Sequence, residues 1–527
     1  MTERFFNNAG PVKCSDHYCL PPLERFELAE VEHLIAQQRY FVLHAPRQTG
    51  KTTSLLALMD HLNTQGNYYS LYVNVEAAQA ARENVERAMR LIVNETVSNA
   101  SLYLNDQSLK AIRADIAALG SWEDGLSQLL SEWAQQSDKP IVLMLDEVDA
   151  LIGDTLISLL RQLRAGYTKR PAAFPQTIIL CGIRDVRDYR IHSSHSKEII
   201  TGGSAFNIKA ESLRMGNFTQ TEVEQLYLQH TAETGQVFTA EAVQQIWALT
   251  QGQPWLVNAL GYELTFRMKE NRDRNRIIDP AAVNQAKEHL ILRRDTHLDQ
   301  LIDKLQEARV RRVIEPILVG EIEPERLPSD DVQYVADLGL ITSRGQLRIA
   351  NLIYQEVIPR ELVYTTSLTI TQEPTWYLGA DGCLQIDKLL SAFQQFFREH
   401  SEHWLERFDY KEAGPQLLLQ AFLQRIVNSG GRIEREYGLG RQRTDLLILW
   451  PYGEGQMQRG VLELKILHRS LAATLEQGLE QVWQYGDRCG AEERHLLIFD
   501  RSNKAWEEKL FQREEIYREK KIVVWGM

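Results

Sequence analysis

The chain has 527 residues, 44% hydrophobic and 25% charged, which is enough for three or four domains of about 150 residues, each with a buried core. Lys and Arg number 59 against 71 Asp and Glu; the net charge of −12 excludes a polybasic nucleic-acid coat and leaves only a local basic groove open. A mean hydropathy of −0.33, with no uncharged apolar run near about 18 residues, excludes collagen-like, disordered and membrane-spanning classes.

The opening M-T-E-R-F-F-N-N-A-G lacks a basic segment followed by an apolar one, so no signal peptide is read and a cytoplasmic protein is expected. Cys14, Cys19, Cys181, Cys383 and Cys489 are odd in number and scattered, which suits a reducing compartment better than a disulfide framework. Cys14 and Cys19 flank His17 in C-S-D-H-Y-C, but no matching second pair follows, so no metal is assigned there.

Residues 39–44 (R-Y-F-V-L-H) form a short apolar run, A-P-R-Q-T-G-K-T-T follows at 45–53, and S-L-L-A-L-M-D-H-L then has a helical pattern. Strand, glycine-bearing loop, Lys-Thr and helix are the context a P-loop needs. Ala45, Pro46, Arg47, Gln48, Thr49, Gly50, Lys51, Thr52 and Thr53 are therefore candidate nucleotide-binding residues. N–H groups around Gln48 to Lys51 would cradle the β-phosphate, Lys51 would neutralise the β- and γ-phosphates, and the Thr52 hydroxyl would hold Mg²⁺. Ala45 stands where the G-x-x-x-x-G-K-[ST] pattern has its first Gly; Ala lacks glycine's freedom at positive φ, so a slightly different start to the loop is expected.

P-I-V-L-M-L-D-E at 140–147 is an unbroken apolar run ending in two acids, the pattern of a strand buried on both faces of a parallel sheet. Asp146 is placed to hold the Mg²⁺ shell and Glu147 to polarise the attacking water. Residues 69–75 and 177–181 add buried strands at α/β spacing. The second leads into G-I-R-D-V-R-D-Y, which puts Arg184 near the position of a γ-phosphate sensor; a surface pair with Asp185 or Asp188 accounts for it equally well.

Together with F-N-I at 206–208, F-T-Q-T-E-V at 218–223 and G-Q-P-W-L at 252–256, these motifs resemble the AAA-like and STAND-type ATPases with an Orc/Cdc6-like core. The resemblance implies ATP and Mg²⁺ as cofactors and sets Gly252 and Pro254 at the start of a lid helix, against the nucleotide. Pro254 also reads as an ordinary first helical residue. Arg25, in P-P-L-E-R-F-E-L, falls where the family has a loop near the adenine. No arginine finger is evident, and the STAND group commonly lacks one, so ATP is expected to act as a slow conformational switch.

The charged stretch F-R-M-K-E-N-R-D-R-N-R within residues 266–299 reads as a solvated helical face or loop, with a phosphate-contacting patch as the other reading. Two short apolar runs split by S-R-G in V-A-D-L-G-L-I-T-S-R-G-Q-L-R-I-A-N-L-I-Y predict a β-hairpin wing after a helix, and the ATPase resemblance implies a winged helix there. Glu321, Glu323, Glu325, Asp330 and Asp331 set that region against phosphates and favour a structural role in relaying nucleotide state. Residues 366–384, with Pro, Gly, Thr and little periodicity, read as a linker.

R-T-D-L-L-I-L-W at 443–450, a polar turn, and V-L-E-L-K-I-L at 461–467 predict a strand, a hairpin and a second strand. Glu463 and Lys465 point to one face of a pleated strand and Leu462, Leu464 and Ile466 to the other, while pairing brings Asp445 close to Glu463. Two carboxylates and an ammonium on one face are costly unless a cation sits between the acids. Mg²⁺, or Mn²⁺, held by Asp445 and Glu463 would position and acidify a water, with Lys465 orienting it or stabilising the charge of the phosphorane. Glu412 ahead of an apolar helix at 415–427, Glu436 in E-R-E-Y-G-L-G-R-Q-R-T-D, and Gln481 and Tyr485 on one helical face strengthen an otherwise weak string.

Over residues 405–527 this set resembles the PD-(D/E)XK restriction-endonuclease-like superfamily, with Thr444 in place of its proline before the first acid. The resemblance implies that Asp445, Glu463 and Lys465 serve phosphodiester hydrolysis, that Gln481 and Tyr485 form the accessory Q-x-x-x-Y motif of RecB-like nucleases, and that Glu412 is an additional acid. Arg432, Arg435, Arg441 and Arg443 suit backbone phosphates. Trp450 and Tyr452 are candidates for base stacking, whereas core packing is favoured for Trp483.

The expected fold class is thus multidomain α/β. A P-loop ATPase core (1–210) precedes a helical lid (211–299) and a winged-helix-like domain (300–365). A linker and connecting helix (366–404) then lead to a restriction-endonuclease-like αβ domain (405–527). The order resembles bacterial and archaeal proteins that fuse a STAND-type AAA-like ATPase to such a nuclease. That implies an ATP-regulated, Mg²⁺-dependent DNase in defence against foreign DNA or in mobile-element biology, acting on DNA with RNA left open, away from membranes, and with a homo-oligomer left open. The alternative is a nucleotide-switched assembly or binding protein whose nuclease-like domain does not cut. Residues 401–527 hold 19 Lys and Arg against 20 Asp and Glu, so nucleic-acid contact is expected to be local to the arginine cluster.

Overall fold

The apolar runs of the first half fold as strands β1 (Tyr40–His44), β2 (Tyr69–Asn74), β3 (Ile141–Asp146) and β4 (Thr177–Gly182). They alternate with helices α1 (Leu28–Ala36), α2 (Lys51–Gln65), α3 (Val85–Tyr103), α4 (Ser108–Leu119), α5 (Gly125–Gln136) and α6 (Gly153–Gly166). A short antiparallel ribbon, β5 (Arg190–His192) and β6 (Ile199–Thr201), precedes β7 (Lys209–Arg214). The computed structural model describes residues 3–185, 190–192, 199–201, 206, 208–293, 296–319, 327–342, 347–362, 377–405, 419, 422–423, 432–436, 445–453, 456–467, 470–500, 502 and 504–527.

The first sheet has the order β2-β3-β4-β1-β7 and every pairing in it is parallel. Strand alternation sorts its side chains. Val42, Leu71, Leu143 and Leu180 pack with Ile92, Leu129 and Leu160 of α3, α5 and α6, while Phe41, Val142, Met144 and Ile179 pack with Leu34, Leu55 and Leu58 of α1 and α2. Each such side chain contributes roughly 1.5–3 kcal/mol by leaving water, which makes a sheet covered on both faces stable. Helices α7 (Gln220–Thr234), α8 (Ala240–Thr250), α9 (Pro254–Tyr262) and α10 (Pro280–Arg293) follow. The start of α7 is fixed by a capping box: the Glu222 N–H donates to Thr219 Oγ1 at 3.2 Å and the Thr219 N–H to Glu222 Oε2 at 2.6 Å.

The chain divides into two units, residues 1–297 with 336–340, and residues 298–335 with 341–527. Beyond α10 come α11 (Thr296–Leu305), α12 (Ala308–Val319) and α13 (Ser329–Asp337). Next are the antiparallel pair β8 (Ile341–Thr342) and β9 (Arg348–Ile349), and α14 (Leu352–Leu362). After α15 (Ile386–Leu405) the second unit builds a mixed sheet from β10 (Arg432–Glu436), β11 (Asp445–Tyr452), β12 (Gln456–Ile466), β13 (Glu493–Phe499), β14 (Phe511–Tyr517) and β15 (Lys520–Gly526). Its order is β10-β11-β12-β13-β15-β14; β12, β13 and β15 run parallel, and the remaining pairings are antiparallel. Helix α16 (Leu471–Arg488) covers one face, with Leu479 and Val482 against Leu496, Ile498 and Val524. On the other face, the α15 rings Phe393 and Phe397 lie 6.5 and 5.3 Å from Phe499.

One expectation is corrected here: Cys14 and Cys19 form a disulfide. A turn in which the Asp16 and His17 N–H groups both donate to the Lys13 carbonyl, at 3.0 and 2.8 Å, folds the segment back on itself. The two Cα atoms are thereby 5.4 Å apart, within the range a disulfide spans. Among the described residues, no helix is long and apolar enough to cross a membrane.

Candidate functional site

β1 delivers the chain to Ala45, which is fully buried and donates its N–H to the Gly182 carbonyl at 3.2 Å. Ala45 does not have a positive φ, as its Cβ requires. The loop bends at Gln48 (φ 56°) and Gly50 (φ 97°), with Thr49 between them, and such alternation of handedness turns backbone N–H groups into a concavity suited to an anion. Gly50 precedes α2, whose first turn carries no side-chain cap, so the positive end of that helix is open to phosphate. Thr49 Oγ1 closes the loop by donating to the Pro46 carbonyl at 2.8 Å. Arg47 is exposed, whereas Lys51 is buried and donates from Nζ to the Ala45 and Pro46 carbonyls at 3.0 and 3.1 Å.

Asp146, fully buried at the end of β3, is held by neutral donors. Thr52 Oγ1 donates to Oδ2 at 2.7 Å, the Tyr72 hydroxyl to the same oxygen at 3.0 Å, and the Glu147 N–H to Oδ1 at 2.9 Å. The Thr52 proton is committed to Asp146, which leaves the oxygen's lone pairs for a cation. A hydroxyl beside a full carboxylate is an all-oxygen donor set that fits Mg²⁺. Glu147 is a left-handed residue (φ 58°). Burial pushes its carboxyl above the usual range, a rise partly offset by the Lys51 ammonium, and that shift moves it toward the strength of a useful base.

A cavity of about 690 Å³ is lined by Gln48, Gly50, Lys51, Thr52, Thr53, Glu147, Arg25 and Pro254, among others. Arg25 lies 4.3 Å over the Phe218 ring and donates from Nη2 to the Gly216 carbonyl at 2.8 Å. The wall also includes residues 7–12 and 18–20, together with Tyr72, Trp255 and Asn258, none of which the sequence marks as nucleotide-binding. The Val12 N–H donates to Thr53 Oγ1 at 3.1 Å, Trp255 Nε1 to the Asn8 carbonyl at 2.8 Å, and Gln229 Nε2 to the Cys19 carbonyl at 2.9 Å. N-N-A-G-P, a cluster of turn residues ahead of the first helix, is the one signal that marked this segment.

Gly252 and Pro254, expected to act together, have different jobs. At Gly252 (φ 69°) an added Cβ would lie 1.8 Å from the Phe218 carbonyl oxygen, and the Phe218 N–H donates to the Gly252 carbonyl at 2.8 Å. Glycine is required there for backbone contact, and Gly252 is not in the cavity wall. Pro254 is the first residue of α9 and is in the wall. Arg184, the expected phosphate sensor, donates from Nε to Asp337 Oδ2 at 3.2 Å and does not line the cavity. Residues 336–340 also meet the P-loop directly: a Cβ on Gly339 would lie 2.8 Å from Pro46 Cβ, and Arg214 Nη2 donates to the Ala336 carbonyl at 3.2 Å.

In the second unit, Asp445 heads β11 directly opposite Glu463 of β12, and Glu436 of β10 stands opposite Asp445. Three acidic positions therefore form one row across three adjacent strands, and directly opposed residues share a face. For Asp445 and Glu436 the backbone register alone is described. Glu463 is fully buried, and Lys465 Nζ lies 2.7 Å from its Oε1, as the spacing of two predicts. Gln481 is half-buried on α16; Tyr485, one turn on, is buried with Leu447, Leu449 and Val461, which stand at alternate positions from Asp445 and Glu463.

Trp450 does not serve as a stacking surface: it is buried and donates from Nε1 to the Gly382 carbonyl at 3.0 Å. Trp483 packs beside the α16 core, with Arg518 lying 4.5 Å over its ring, and Tyr452 is half-buried. Glu412, Arg441 and Arg443 lie outside the described residues, as do the side chains of Arg432 and Arg435 and most of the helix expected at 415–427.

Over residues 22–356 the sequence matches the family described as AAA-like domain. Among solved structures, the chain is similar to a Walker-type ATPase of Pyrococcus abyssi (15% identity, TM-score 0.47, covering 67% of this chain and 99% of that one). It is also similar to Cdc6p of Pyrobaculum aerophilum (15% identity, TM-score 0.35, 66% and 95%). The RuvB Holliday junction branch migration motor of Thermotoga maritima is a third (13% identity, TM-score 0.34, 64% and 96%). No curated protein matches the chain.

Proposed function

The chain belongs to the AAA-like domain family, and on that premise we propose that it is an ATP-regulated, Mg²⁺-dependent DNA nuclease in which nucleotide at the first unit sets the activity of the second. The observation that carries the nucleotide half is the Thr52–Asp146 hydrogen bond beside the open end of α2. Lys51 neutralises the β- and γ-phosphates, the N–H groups of Gln48 to Lys51 hold them, and Glu147 takes a proton from the attacking water. Thr52 and Asp146 would hold Mg²⁺, which would supply further positive charge to the phosphates. For Arg184 to sense a γ-phosphate it must exchange Asp337 for it, so ATP and ADP bias the 336–340 segment differently. A hundredfold preference of one arrangement for ATP shifts that equilibrium by about 2.7 kcal/mol, enough for a switch.

The row of Glu436, Asp445 and Glu463, with Lys465 on the same strand face, supports the nuclease half. Asp445 and Glu463 would hold a divalent cation there, which would supply an acidified water and charge screening, and Lys465 would stabilise the negative charge that builds on the phosphoryl oxygens in the transition state. The partner is DNA, met at the arginine cluster before Asp445, in the cytoplasm; defence against foreign DNA rests on fold-level analogy. The proposed division runs from ATPase core (1–210) through lid (211–299), winged helix (300–365) and linker with connecting helix (366–404) to nuclease (405–527). One observation favours a second reading, a nucleotide-switched protein that binds DNA or a partner without cutting. Glu463 is fully buried and already ion-paired with Lys465, so its charge is balanced within the strand.

The test incubates the full chain with plasmid DNA, linear DNA and RNA, with Mg²⁺ or Mn²⁺, with and without ATP. Metal-dependent cutting that responds to ATP is expected, and Glu463→Ala or Lys465→Ala should abolish it while ATP hydrolysis persists. Equal degradation by wild type and both variants removes the nuclease assignment. DNA binding without cleavage selects the second reading.

A further inference from the structure

We propose that Tyr72 is a positioning residue for the divalent cation of the nucleotide site, acting through Asp146; the proposal rests on the nucleotide reading above. Tyr72 is the one aromatic in the buried centre of β2, S-L-Y-V, and β2 is the strand beside β3 at the edge of the first sheet. Its backbone partner is Met144, two residues before Asp146, so the long side chain reaches diagonally to the carboxylate. The ring packs with the α1 and α2 core, and the strand is held from the other side by Asn99, whose Nδ2 donates to the Tyr72 carbonyl at 3.1 Å. Only the hydroxyl end does polar work, donating to Asp146 Oδ2 at 3.0 Å, and the residue also lines the cavity.

Asp146 thus has its plane set from three directions: Thr52 from the P-loop helix, Tyr72 from the neighbouring strand, and the Glu147 N–H from its own chain. The Thr52 oxygen is the one donor that a cation also engages directly, so it alone cannot hold Asp146 against a displacement of both groups together. The Tyr72 hydroxyl reaches Oδ2 from a different element, β2, and is itself braced by Thr52 and Asn74, so it ties the carboxylate to the sheet as well as to the P-loop helix. Partners that orient a metal ligand in this manner are worth roughly tenfold to a hundredfold in metal affinity. A tyrosine retained only to fill space would be replaceable by phenylalanine without such an effect.

The experiment compares the full-length wild type with Tyr72→Phe, which deletes one oxygen and keeps the ring. Binding of Mn²⁺ in saturating ADP is read from the electron paramagnetic resonance signal of free Mn²⁺, and binding of a fluorescent ADP analogue is read in EDTA. The dissociation constant for Mn²⁺ should rise by about tenfold in the variant. Analogue binding in EDTA should stay within about twofold, because Lys51 and the P-loop amides are untouched, and that binding also shows the variant is folded. An unchanged Mn²⁺ constant overturns the proposal, as does an equal loss of analogue binding in EDTA. Lys51→Ala separates the two levels. If wild type binds the analogue and Lys51→Ala does not, a negative result counts against Tyr72 alone; if wild type fails to bind, the nucleotide reading itself falls.

Discussion

Asp146 and Glu463 are both fully buried acids on central strands, one in each unit, and their surroundings differ in kind. Asp146 accepts hydrogen bonds from two hydroxyls and a backbone N–H, all neutral, so its whole negative charge remains to attract a cation. Glu463 lies 2.7 Å from the Lys465 ammonium on its own strand, so much of its charge is already answered. Burial alone therefore does not mark a metal ligand; the sign and mobility of the partners decide it. The first arrangement leaves a carboxylate for a cation, whereas the second is balanced without one; under the proposed nuclease function it would have to be opened, by metal or by a phosphate competing for Lys465, before it could act.

The largest effect that would break this contrast is at Lys465. Lys465→Met removes one partner of a buried pair and should destabilise the second unit by about 3–5 kcal/mol in urea titrations run with EDTA. Mn²⁺ should recover part of that loss; no loss at all would mean that the ammonium does not hold Glu463. In the first unit one acid-sensitive element is a base. His297 is buried, stacked 4.7 Å from Trp255, and its pKa is lowered by burial to about 3. The neutral ring is favoured on folding, so its contribution is fully present above pH 6.5 and is lost as pH falls from 6.5 toward about 3. At about 1.4 kcal/mol per pH unit, stability should drop by about 3 kcal/mol by pH 4.5, and a His297→Phe variant should lose that part of the slope. The smallest stability change is expected for Thr52→Val, within about 1 kcal/mol, since Tyr72 and the Glu147 N–H still satisfy Asp146. The same variant should lose Mg²⁺-dependent ATP hydrolysis, and a large loss of stability would make Asp146 resemble Glu463 after all.

What the sequence made legible was what is local in the chain. The P-loop is nine consecutive residues between a strand and a helix, and the Glu463–Lys465 pair follows from a spacing of two. The acidic row was partly legible too, because a hairpin of the right length opposes Asp445 and Glu463. β7 (K-A-E-S-L-R) was not seen: it pairs with β1 alone, and an edge strand bearing three charged residues lacks the apolar run that revealed its neighbours. The cavity wall at residues 7–12 and 18–20 and the Arg184–Asp337 pair escaped for another reason, since each joins segments far apart in the chain. Tyr72 was hidden by its own strand, where one hydroxyl among apolar residues reads as core.

Residues 336–340 carry a consequence for how the protein is made. They complete the first unit, seating Gly339 on Pro46 and Asp337 on Arg184, yet both flanks of this five-residue stitch belong to the second unit. A ribosome that has released residue 297 has therefore not yet supplied the whole nucleotide-binding body. The missing piece emerges roughly 2–9 s later at synthesis rates of about 5–20 residues per second. During that interval the Arg184 guanidinium has neither Asp337 nor the surrounding turn, so a nascent chain should gain its full resistance to protease over residues 1–297 only after residue 340 has cleared the exit tunnel.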